Sequence, residues 1–89
     1  MKQSELERKA YMIYDNLAFI FTIEDGVKKL MAINMNKQSQ KIVFSFVNSE
    51  FIMESTTMSE SNTYKVLLII EKNSNRFKEG YKNGVLCKI

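Results

Sequence analysis

Histidine is absent from the 89 residues, and with it the usual general base near neutral pH and the commonest metal ligand. Serine–histidine and cysteine–histidine catalysis are therefore excluded. A single cysteine, Cys87, can form neither an intramolecular disulfide nor a thiolate cluster for zinc or iron–sulfur. Only Lys88 stands near it to activate the thiol, so Cys87 reads as a small buried hydrophobe. The three glycines, Gly26, Gly80 and Gly84, build no phosphate-binding loop and no dinucleotide fingerprint. No carboxylates fall at EF-hand or zinc-site spacing. No run of 18 apolar residues exists, so no membrane span is expected, and Met1–Glu5 has no apolar signal core behind it. No enzyme chemistry, cofactor or metal is implied.

What is present is ordinary globular material: 45% apolar and 26% charged residues, with a net charge of +3. That argues against disorder and for a single domain over 1–89 with a small core. Lys, Asn and Ile, with A/T-rich codons, far outnumber Arg, Gly, Ala and Pro. This points to a low-GC bacterium, or one of its phages or mobile elements. A lone cysteine without a disulfide framework points to a reducing compartment, the cytoplasm.

Ser4-x-x-Glu7 has the form of a capping box, and Leu6, Ala10, Ile13, Tyr14 and Leu17 fall on one helical face. The spacing predicts a helix over 4–17, with a sheet over 18–89. Phe19–Glu24, then Asp25-Gly26, then Val27–Met35 reads as a hairpin, with Phe21 opposite Leu30 and Phe19 opposite Ala32. The alternative for 27–35 is a second helix. Lys41–Val47 alternates as a strand, Asn48-Ser49 turns the chain, and Phe51–Thr57 runs back. Thr63–Lys72 contains the unbroken run Val66–Ile70 and reads as a central strand covered on both faces. Asn83-Gly84 suggests a final hairpin, with a short helix over 75–82 as the alternative. The expected class is α+β: an N-terminal helix, then an antiparallel β-meander of about five to seven short strands. Phe21, Phe44, Phe46, Leu68 and Ile70 are the expected core. Patterns of the Sm-like, cold-shock, ribbon–helix–helix and helix–turn–helix families are incomplete or absent.

Charge is uneven: residues 50–64 carry −3 and residues 65–89 carry +4. Arg76, Phe77, Lys78, Tyr81 and Lys82 interleave cations with aromatic rings, a pattern suited to nucleic acid; the alternative is solvated lysines over inward-facing rings. Tyr11 and Tyr14 widen the apolar stripe of the first helix beyond what one sheet needs. Six methionines add adaptable apolar surface. These seven residues, Tyr11, Tyr14, Arg76, Phe77, Lys78, Tyr81 and Lys82, are the candidate partner-binding set. Absent catalytic groups and surplus apolar surface favour a small regulator or inhibitor that binds a larger host protein. The alternative is a nucleic-acid-binding protein using the basic, aromatic C-terminal segment. A homodimer is expected, because one helix covers only one sheet face.

Overall fold

Short turns dictate the sheet. Asp25 and Gly26 have φ of 53° and 79°, and Asn48 and Ser49 have φ of 52° and 65°. Both central residues of each turn are thus left-handed, as the tightest hairpins require. In the computed structural model, which describes residues 2–83, these turns join strands into one antiparallel meander. The elements are α1 (Gln3–Lys9), β1 (Met12–Tyr14), β2 (Leu17–Glu24), β3 (Val27–Asn34), β4 (Lys41–Val47), β5 (Glu50–Thr56), α2 (Glu60–Lys72) and α3 (Ser74–Asn83). The fold is α+β, and the strands follow in chain order from β1 to β5. Residues 27–35 are strand over Val27–Asn34, and Phe21 pairs with Leu30 and Phe19 with Ala32, as the Asp-Gly turn implies.

The first helix is shorter than 4–17. It ends at Lys9, and the N–H of Tyr11 already bonds the Phe19 carbonyl at 2.8 Å. Met12–Tyr14 pairs with Leu17–Phe19 across Asp15-Asn16, with Asp15 left-handed at φ 56°. Alternating aromatic and β-branched residues and two good turn formers outweigh a helical spacing that Ala10, Ile13, Tyr14 and Leu17 also satisfy. The capping box is not made, since Lys2 occupies the cap and Ser4 lies inside the helix.

Residues 60–72 form a helix, not the central strand expected over 63–72. The Ser59 hydroxyl accepts the Asn62 N–H at 3.3 Å, and Glu60 sits in the first turn, where the helix dipole favours an acid. Val66, Ile69 and Ile70 turn inward at helical spacing. Residues 74–83 are likewise helical, as α3, so the alternative of a helix over 75–82 holds in place of the first arm of the expected C-terminal hairpin. Gly84 of the expected turn, the second arm and Cys87 lie outside the described residues.

Both sheet faces are covered within the chain. On one face, Leu17, Phe19, Phe21, Leu30, Ile42 and Phe44 pack with Met58, Val66, Ile69, Ile70 and Phe77 from the C-terminal half. On the other, Leu6 of α1 packs with Ala18, Ile20, Met31, Ile33, Met35 and Val43. The second layer expected from another copy of the chain is supplied by α2 and α3. Of the expected core, Phe21, Phe44 and Ile70 are buried, Phe46 is half-buried, and Leu68 faces outward. Gly80 sets the closeness of α3 to the sheet: a Cβ there would lie 2.5 Å from the Tyr11 ring and 2.7 Å from the Phe21 ring.

Candidate protein-docking surface

A helix on a sheet needs one apolar stripe, yet α2 carries apolar residues on two sides. Val66, Ile69 and Ile70 fill the core. Tyr64, Leu67 and Leu68 fall at i, i+3 and i+4 on the outer side. Their exposures are 64%, 39% and 36%. Tyr14, from β1, is 50% exposed and joins the strip beside Leu68.

Shallow grooves flank this ridge. One, of about 410 Å³, lies between α2 and the end of β5 and is lined by Thr56, Met58, Glu60, Thr63, Tyr64 and Leu67. The other, of about 160 Å³, lies between α2 and β1 and is lined by Tyr14, Leu68, Ile69 and the polar Lys65, Lys72 and Asn73. Each is bordered by a polar side-chain contact. Thr56 and Thr63 share a hydroxyl hydrogen bond of 3.0 Å, and Lys65 pairs with Asp15 at 2.7 Å. A larger cavity of about 450 Å³ opens on the opposite sheet face, lined in part by Thr22, Met31, Ile33, Gln38 and Lys41. Among the described residues no three Cys, Asp or Glu side chains converge as a metal site, and no helix is long and apolar enough to cross a membrane.

The seven residues singled out in the sequence divide sharply. Phe77 is 0% exposed and belongs to the core, 5.1 Å from the Phe19 ring, so it offers no contact surface. Tyr11 stacks edge-on against Phe21 at 5.1 Å and donates its hydroxyl to the Arg76 carbonyl at 2.8 Å. Tyr81 packs on Phe46 at 4.3 Å, and the Lys28 ammonium donates to the Tyr81 carbonyl at 2.6 Å. These three rings hold α3 to the sheet. Arg76 and Lys82 are exposed on α3, and Lys78 is half-buried. Phe77 and Tyr81 therefore pack inward while Arg76 and Lys82 face water, instead of alternating toward one ligand. Tyr14 remains available at the surface.

Tyr64, Leu67 and Leu68 escape a reading of the sequence because their segment has the look of a strand. A signal is nonetheless present, since a helical wheel over 60–72 places them together, away from Val66, Ile69 and Ile70. The electrostatics are sparse. Lys29 donates to Glu54 at 2.6 Å, and that hydrogen bond raises the Lys29 pKa above its ordinary value, against the opposing effect of burial. No protein-family model, curated protein or solved structure matches this chain.

Proposed function

We propose that this protein is a small protein-binding regulator or inhibitor that acts by occupying a surface of a larger protein. The observation that carries this reading is the Tyr64–Leu67–Leu68 ridge, continued by Tyr14 and flanked by two grooves. Apolar side chains clustered on an otherwise polar helix face contribute little to the isolated fold and gain by desolvation against a partner. An origin in an A/T-rich genome, such as that of a low-GC bacterium or its phages, fits a regulator working on a host protein in the cytoplasm.

The alternative, nucleic-acid binding through Arg76, Lys78 and Lys82, is weakened by the inward-facing Phe77 and Tyr81, which leave α3 no ring for base stacking. Affinity capture from a host lysate, with and without nuclease, separates the two. Capture is expected to survive nuclease, to be lost in Leu67→Glu/Leu68→Glu, and to persist in Arg76→Glu/Lys82→Glu. Capture that requires nucleic acid, with gel-shift binding tighter than about micromolar that the Arg76→Glu/Lys82→Glu variant loses, would reverse the assignment.

A further inference from the structure

We propose that the open edge of β5, with the groove between it and α2, takes up an extended basic and apolar segment of a partner protein as an added strand. The proposal rests on the protein-binding reading above and adds the class of partner. Among the described strands, β5 is bonded only to β4. Along its outer side, every second residue therefore turns its N–H and C=O away from the sheet. Natural edges are guarded by charged side chains, above all lysine, by proline, by bulges or by short length; β5 has one bulge and two glutamates but no lysine or proline. β5 reads Glu-Phe-Ile-Met-Glu-Ser-Thr over seven residues, and six of them are exposed. Its bulge, opposite Val43/Phe44, turns Glu54 toward Lys29 and leaves Glu50–Met53 in unbroken register.

The groove gives this edge a place for side chains. Thr56 lies on β5, while Thr63, Tyr64 and Leu67 line the same groove from α2. A strand laid along β5 would make main-chain hydrogen bonds to the edge and bring the side chain opposite Thr56 to the groove at its end, combining main-chain pairing with a pocket. Charge selects the occupant. Residues 50–64 contain Glu50, Glu54 and Glu60 and no basic residue. Glu54 is paired with Lys29, and among the described residues Glu50 and Glu60 make no ion pair. A second copy is a poorer occupant, because β5 against β5 brings two acidic edges together. The other open edge, β1, has only three residues.

Fluorescence anisotropy with a labelled peptide of alternating lysine and valine tests this at physiological salt. Saturable binding is expected, weakened about tenfold or more by Glu50→Lys/Glu60→Lys and by N-methylation of alternate peptide residues. Amide chemical-shift changes should be confined to β5 and the first half of α2. Both substituted glutamates are exposed, and N-methylation leaves the protein untouched, so weaker binding of the N-methylated peptide cannot come from a folding defect. Equal affinity for the N-methylated peptide overturns strand addition, and equal affinity for one of alternating glutamate and valine overturns the basic partner. So does a doubling of mass in light scattering that the glutamate variants abolish, since the edge then belongs to a second copy. If lysate capture is lost in Leu67→Glu/Leu68→Glu but intact in Glu50→Lys/Glu60→Lys, the protein-binding reading stands and this one falls.

Discussion

Asn34 is one of two buried polar residues among the described residues, and both polar atoms of its side chain are hydrogen-bonded. Its Oδ1 accepts from Asn16 Nδ2 at 2.9 Å and from the Asn36 N–H at 3.0 Å, while its Nδ2 donates to Gln40 at 3.1 Å. One amide thus ties the β1–β2 turn to the β3–β4 loop. Asn34→Ala strands two donors and an acceptor, so it should cost about 1–3 kcal/mol, read as a lower urea midpoint. Lys29 makes a second residue-scale prediction. Its pKa is raised in the folded state by the hydrogen bond to Glu54, so its contribution is fully present below the unfolded lysine value. That contribution disappears as pH rises through the folded value. Urea midpoints of wild type and Lys29→Met should therefore differ at pH 7 and converge above about pH 10.5.

At the scale of elements, the two sides of the C-terminal helices should behave oppositely. Phe77→Ala deletes a fully buried ring and should lower stability by about 3–5 kcal/mol, whereas Leu68→Ala removes a surface side chain and should cost about 1 kcal/mol or less. Thermal melts of the two variants check this. The β2–β3 hairpin is legible in the sequence down to its register, because Asp25-Gly26 leaves one tight turn and the alternation around it leaves one pairing. The β4–β5 hairpin is legible for the same reason at Asn48-Ser49. α2 is not, because five consecutive apolar residues erase the difference between a buried strand and a helix with two apolar sides. Its length and the Ser59 cap are the deciding marks. β1 is hidden because Ile13, Tyr14 and Leu17 fit a helical face as well as a hairpin. The candidate surface inherits these ambiguities: the sequence puts Tyr14 on the wrong element, and Tyr64, Leu67 and Leu68 on an interior strand.

At the scale of the whole molecule, the sheet is a chain of neighbours. Each strand pairs with the next in sequence, so every ladder closes over a short loop. Closure over long separations falls to the helices: Tyr11 to Arg76 spans 65 residues, and Lys28 to Tyr81 spans 53. This division has a kinetic consequence. Local pairings form at low entropic cost, while docking of α3 awaits a sheet to receive it. The transition state expected from this is a partly formed meander with α3 still free. Stopped-flow measurements should find that Leu30→Ala, in the middle of β3, slows folding. Phe77→Ala should instead leave the folding rate nearly unchanged and accelerate unfolding, so that the lifetime of the native state is set by the last helix to arrive.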